Sequence, residues 1–232
     1  MVLLRIPVMS KLLGYKFMWL FIFLFAVLIS YPYSLGSNAR YFVYRTLFSL
    51  VILFTVYAVD MRRSLLMIAL VLAAPSIVQH TVYAAEIKSP AAVVNTFLAL
   101  GFDLFIVAVI FRRIFAKTSA DSESIYGALC IYLIVGFSFS NVFLLVAYFQ
   151  PRAFYLDPAS NNHAVFERLD SVYYSFGSMT SLGAAGIIPV TGEARLLTII
   201  EALLGVLFLA VLVSRLLSAY GKPGLEKRSS EN

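Results

Sequence analysis

The chain has 232 residues, of which 61% are apolar and 13% charged, and its mean hydropathy is +0.89; that balance excludes an ordinary soluble domain and makes the bilayer its natural solvent. The formal charge of +6, in a chain this apolar, serves membrane topology and anionic headgroups, and no basic run with interleaved aromatics argues for nucleic acid. A single cysteine, Cys130, lies within an apolar run, so neither a disulfide framework nor a metal cluster is available.

A spanning helix needs about 20 mostly apolar residues, and six windows meet that need: 15–34, 41–59, 64–84, 92–115, 124–149 and 193–219. The first also admits a reading as a cleaved signal ending near Ser37-Asn38-Ala39, but its apolar run is long for that and a retained helix is favoured. Pro75 removes a backbone donor from the third and predicts a kink there. With the amino terminus inside, twelve basic residues fall on the cytoplasmic side, among them Arg62, Arg63, Arg112 and Arg113, and six outside, among them Arg152 and Arg168. The bias predicts a cell-membrane protein with both termini cytoplasmic.

In the fourth window Asp103 is flanked by apolar residues. A carboxylate at that depth is costly and needs a partner, for which Arg45, Arg40 or a hydroxyl on a neighbouring helix are the candidates. A voltage sensor would place a basic residue at every third position; Arg112 and Arg113 alone, adjacent at the cytoplasmic end, read as topological anchors. His80 and His163 titrate near neutrality but are read first as satisfied polar contacts.

Between the fifth and sixth windows lies a longer polar segment, Pro151 to Asp170, read as a solvated outer loop whose Asp157, Asn161, Asn162, His163 and Glu167 could collect cations. After it, Asp170 to Thr180 is too short to span and runs into the Gly-containing stretch Ser181-Leu182-Gly183-Ala184-Ala185-Gly186. Such a segment reads as a re-entrant half-helix with Asp170 and Ser171 as amino-terminal caps. Irregular backbone at membrane depth is tolerated only when buried in protein or lining a water-filled cavity. The half-helix would aim its negative carboxyl end, near Met179 and Thr180, at the membrane centre. An extended loop would then return outward, offering oxygens at Thr180, Ser181, Leu182, Gly183 and Ala184; rings of carbonyls replacing a hydration shell are a known solution for ion selectivity.

The stretch Tyr173 to Tyr220 resembles the pore helix, filter and inner helix of the bacterial potassium-channel pore family. The resemblance rests on Ile188-Pro189-Val190-Thr191 with Ala194-Arg195, on Ile200-Glu201-Ala202-Leu203-Leu204-Gly205, and on Leu209 to Leu216. It implies an ion path at Thr180, Ser181, Leu182, Gly183, Ala184, Ala185 and Gly186, with an acidic residue, Glu201, behind the filter. The family's filter reads Thr-Val-Gly-Tyr-Gly-Asp. Aligned without gaps, Ser181 keeps the innermost hydroxyl and Gly183 the first glycine. Ala184 lacks the aromatic cuff, Ala185 replaces a glycine of left-handed backbone, which costs an L-residue about 1–2 kcal/mol, and Gly186 lacks the outer carboxylate. No acidic residue between Asp170 and Glu193 offers a sodium or calcium filter instead. The expected permeants are monovalent cations, K+ and Na+, with weak selectivity; Ala184→Tyr with Ala185→Gly and Gly186→Asp is expected to raise potassium preference.

The fold class expected is an all-α membrane protein of six transmembrane helices plus a re-entrant pore half-helix. Residues 1–118 form four peripheral helices without a charged voltage sensor. Residues 119–220 form the pore module, with outer helix 124–149, pore helix 170–181, filter loop 181–186 and inner helix 193–219. Residues 221–232 form a short cytoplasmic tail, from which no ligand-binding domain is expected. Gly205 is a candidate hinge, and Phe208, Leu209 and Leu212 a candidate apolar gate that closes by dewetting. One pore loop supplies a quarter of a carbonyl ring, so a homotetramer in the lipid bilayer is expected. The alternative is a non-conducting pore-like partner of a second channel subunit, or a membrane scaffold; a transporter is weaker because no inverted repeat is visible. No nucleophile with a matched base, metal cluster, cofactor site or phosphate-cradling loop supports an enzyme.

Overall fold

A computed structural model describes residues 15–30, 90–115 and 122–220, with isolated helical residues between 46 and 72. The windows 41–59 and 64–84 fall largely outside the described residues, as do Pro75, His80, Arg40, Arg45, Ser37 to Ala39 and the tail 221–232. Bounded elements among the described residues are α1 (Lys16–Ser30), α2 (Pro90–Phe115), α3 (Ser122–Phe149), β1 (Phe154–Leu156), α4 (Arg168–Met179), β2 (Ile187–Pro189) and α5 (Gly192–Tyr220). Three helices, α2, α3 and α5, are long and apolar enough to cross a membrane, and the protein is an all-α membrane protein that crosses the bilayer more than once. The described part of α1, 15 residues, rises about 22 Å of the roughly 30 Å hydrocarbon core.

Helices α1, α2 and α3 share one core because each presents apolar side chains three or four residues apart on a single face. Phe17, Leu20, Leu24 and Val27 of α1 meet Phe102, Ile106, Ile110 and Ile114 of α2 and Cys130, Ile131 and Ile134 of α3. One end of this bundle is also pinned by polar contacts. The Phe17 amide donates to Glu123 Oε2 at 3.2 Å, the Cys130 thiol reaches the Phe17 carbonyl at 3.5 Å, and the Arg113 guanidinium lies 5.5 Å from the Phe17 ring centre. The start of α1, the end of α2 and the start of α3 therefore lie on the same side, as alternating spans require.

Twelve residues long, α4 rises about 18 Å and ends well short of a full crossing. It begins earlier than the sequence suggests. Glu167 is the N-cap, and a reciprocal capping box joins it to Asp170, whose carboxylate accepts the Glu167 amide at 2.7 Å. Asp170 thus caps from the third helical position, and Ser171 lies inside the helix, where its hydroxyl donates to the Arg168 carbonyl. A second core, absent from the sequence reading, sits above α4: Phe143, Phe154, Tyr174 and Ile187 are buried together, with Phe166 stacked on Phe154 at 4.3 Å. The short antiparallel ribbon of β1 and β2, in register Phe154↔Pro189 and Leu156↔Ile187, closes this core. It ties the chain leaving α3 to the chain entering α5.

Among the described residues, one stripe of α5 meets the rest of the chain. Ala194, Glu201 and Gly205 are buried, whereas Ile199, Leu203, Val206, Leu207, Val211 and Val213 are exposed.

Candidate functional site

Both neighbours of α4 hold it by hydrogen bonds from small polar side chains. Ser140 of α3 and Ser171 share a bond of 3.0 Å. Ser175 donates to the Gly136 carbonyl of α3 at 2.7 Å and lies 2.5 Å from Glu201 Oε1 of α5. The Tyr174 hydroxyl meets Thr198 of α5 at 2.7 Å. Glu201 is fully buried, and its Oε2 has no hydrogen-bond partner among the described residues. The residue that the sequence places behind the filter is therefore a contact between inner helix and pore helix. Below it α5 passes so close to the end of α4 that a Cβ on Gly205 would lie 2.2 Å from the Met179 carbonyl oxygen.

The loop from Thr180 to Gly186 departs from the expected extended run. Ser181 adopts φ 59°, Gly183 φ 80° and Gly186 φ 81°, and backbone amides close local turns: Ser181 onto Ser178 at 3.1 Å, Gly183 onto Gly177 at 3.0 Å, Ile187 onto Ala184 at 3.2 Å. The left-handed residues are thus 181, 183 and 186; Ala185 escapes the strain that the ungapped alignment assigns to it. The Gly183 carbonyl lies against Gly177 of α4, where a Cβ would be 2.9 Å from its oxygen. The Gly186 carbonyl accepts the Asp157 amide at 2.8 Å and Asn161 Nδ2 at 2.9 Å. Among the described residues, no hydrogen bond engages the carbonyls of Thr180, Ser181 and Leu182, three exposed residues at the carboxyl end of α4. That edge joins a helix dipole's negative end to a short run of open oxygens, a combination suited to a cation.

Residues 127–222 of the 232 match a family model described as ion channel. This chain carries an ion-channel pore domain. The match begins within α3 and spans α4, the loop and α5, and a channel of this kind is a transport protein, not an enzyme. No curated protein and no solved structure matches the chain.

Several side chains that fix the pore domain's loop were not singled out in the sequence. The Ala185 amide donates to the Tyr173 hydroxyl of α4 at 3.0 Å, so a pore-helix ring braces the loop where Ala184 supplies none. Ala184 itself tucks against the aromatic core. Gly177, a mid-helix glycine, was the available signal, since such a residue usually marks a close approach of another chain segment.

The other candidate residues fall into place around this module. Asp103 on α2 accepts Ser138 Oγ of α3 at 3.2 Å, so among the described residues a neighbouring-helix hydroxyl meets it, while Arg40 and Arg45 lie outside them; Ser138 also lies 2.8 Å from the Ile134 carbonyl. Phe208 and Leu212 line an apolar cleft of about 440 Å³ between α5 and the pair α2–α3, with Phe208 packed on Tyr132 at 5.7 Å. Leu209 is exposed.

On the outer loop His163 Nε2 lies 2.9 Å from Asp170 Oδ2, the oxygen that also caps α4. This hydrogen bond, with the negative charges of Asp170 and Glu167, raises the imidazole pKa above its ordinary 6.5. A raised folded-state pKa contributes stability that is full below the unfolded value and is lost as pH rises through the folded one. The thermal midpoint should therefore fall as pH rises above the imidazole's ordinary 6.5, and His163→Asn should flatten that dependence; an unchanged slope in the variant would remove His163 as its source.

Proposed function

We propose that the chain is the subunit of a homotetrameric cation channel with a potassium-channel-like pore and weak selectivity among monovalent cations, K+ and Na+. The observation that carries this reading is the exposed edge where the carboxyl end of α4 meets the open carbonyls of Thr180, Ser181 and Leu182. Fourfold repetition would turn the edge into stacked oxygen rings above a cation-favouring cavity. The exposed apolar flanks of α5 are suited to neighbouring subunits and lipid. Weak selectivity follows from the lack of a ring at Ala184 and of a carboxylate at Gly186 and from the left-handed turns at Ser181 and Gly183, which interrupt the stack of oxygens that a full dehydrating filter needs. Of the apolar gate residues, Leu209 is the one left outside the cleft, and it is the gate we favour. The subunit sits in the cell membrane with six spans and both termini cytoplasmic, an orientation supported by the basic residues and by the shared side of the α1, α2 and α3 ends.

The test is flux from liposomes containing the purified protein. Potassium and sodium should both pass and chloride should not; absence of cation flux at every pH and voltage tried would sink the reading. The same interrupted loop favours a second one, a non-conducting partner of another channel subunit. Silence when expressed alone, together with co-purification of a second pore protein, would select it.

A further inference from the structure

The segment 157–161 of the outer loop does more than cover the protein. Asp157 begins a tight turn in which its side chain accepts the Ala159 amide at 3.1 Å and its carbonyl accepts the amides of Ser160 and Asn161 at 3.0 Å. The turn is thus braced from within before it touches anything else. Its far end then reaches the filter loop: Asn161 Nδ2 sits 3.0 Å from the Asp157 carbonyl and 2.9 Å from the Gly186 carbonyl. Both neighbours are carbonyl oxygens, which accept only, so the amide nitrogen with its two hydrogens must be the group between them. The Asp157 amide supplies the second bond to Gly186 at 2.8 Å, filling both lone pairs of that carbonyl. Ser160 closes the remaining space, since a Cβ on Gly186 would lie 2.7 Å from its Cβ.

We propose that Asn161 is a positioning residue for ion selection, the clamp by which the outer loop fixes the outer end of the filter. The inference rests on the reading of residues 180–186 as a filter. Holding Gly186 from outside keeps its carbonyl out of the ion path and fixes where the exposed run Thr180 to Leu182 returns to β2. It thereby stands in for two features that this filter lacks, a ring at Ala184 and a carboxylate at Gly186. Loosening it lets the open carbonyls move independently, which lowers discrimination between ions of different size.

The test compares the full-length protein with Asn161→Asp, which keeps the shape but loses both donors, and Asn161→Ala, which adds no charge at the pore mouth. Amide hydrogen exchange, read on peptides containing Asp157 and Ile187, should accelerate about fivefold in both variants, the scale of one lost hydrogen bond. In flux measurements both variants should move the potassium-to-sodium permeability ratio toward unity while tetramers still form. Unchanged exchange in both variants overturns the clamp. Faster exchange with an unchanged ratio in a conducting protein reduces Asn161 to a structural tie and overturns its role in selection. If the unmodified protein passes no cation, the channel reading falls and selection with it, and the exchange arm alone then decides whether the tie exists.

Discussion

Replacing Gly205 by alanine should separate the inner helix from the pore helix and remove most assembled, active protein. The added Cβ would sit 2.2 Å from the Met179 carbonyl oxygen, 2.8 Å from its Cγ and 3.0 Å from its carbonyl carbon. A side-chain atom can swing aside; the carbonyl of a helix terminus, fixed by the turn around it, cannot. Relief requires α5 to shift away from α4, which stretches the Ser175–Glu201 and Tyr174–Thr198 bonds between the same two helices. Overpacking of this kind costs roughly 1–3 kcal/mol and occasionally more, and the backbone contact places Gly205→Ala at about 3 kcal/mol per subunit. Denaturant or thermal unfolding in detergent reads the loss, and size-exclusion chromatography reads assembly. Combining it with Met179→Ala discriminates the cause: a backbone clash is not rescued, whereas recovery would show that only the flexible side chain is in the way. A glycine that served solely as a hinge would instead change opening kinetics with unfolding unaltered.

The pore half-helix was legible in the sequence because its signal is one of length. A helical stretch of about half a span, set between two full-length apolar helices and followed by glycines, has few structural solutions in a bilayer. Its amino terminus was misplaced by three residues because Asp170 is a strong cap in isolation, while the chain uses it in a capping box with Glu167 and also holds it with His163. The place of Glu201 behind the filter was implied by the resemblance, but which hydroxyl it meets depends on the tilt of α4 against α5. The outer loop was read as solvated. Its polar composition is indeed that of a solvated loop, and nothing in Asp157 or Asn161 alone shows that they turn toward Gly186. That contact is created by the ribbon of β1 and β2, three residues per strand, too brief for a periodicity to announce. The filter comparison failed at Ala185 for a related reason: an ungapped alignment fixes which residue carries a left-handed backbone, but here local turns and the loop's anchors put it at Ser181, Gly183 and Gly186.

Those anchors make Gly186→Asp the second large effect, and in the direction opposite to the simple expectation that restoring a carboxylate improves the filter. Gly186 has φ 81°, where any L side chain costs about 1–2 kcal/mol. The new Cβ would also lie 2.7 Å from Ser160 Cβ and 3.0 Å from Asn161 Nδ2, adding roughly 1–3 kcal/mol of overpacking. Together these exceed what one pair of hydrogen bonds to the Gly186 carbonyl supplies, at about 1 kcal/mol each, so the outer turn should detach from the loop. The expected result is loss of cation flux and a lowered thermal midpoint for Gly186→Asp, and a smaller loss in the same sense for Gly186→Ala. The triple change with Ala184→Tyr and Ala185→Gly should then fall below the pair Ala184→Tyr, Ala185→Gly, in which Gly186 is kept. Ser160→Gly isolates the steric part: combined with Gly186→Ala it should restore the overpacking share and leave the backbone strain, a coupling readable as a double-mutant cycle. Neutral behaviour of Gly186→Asp, or additivity with Ser160→Gly, would mean that residues 157–161 do not press on the filter loop at all.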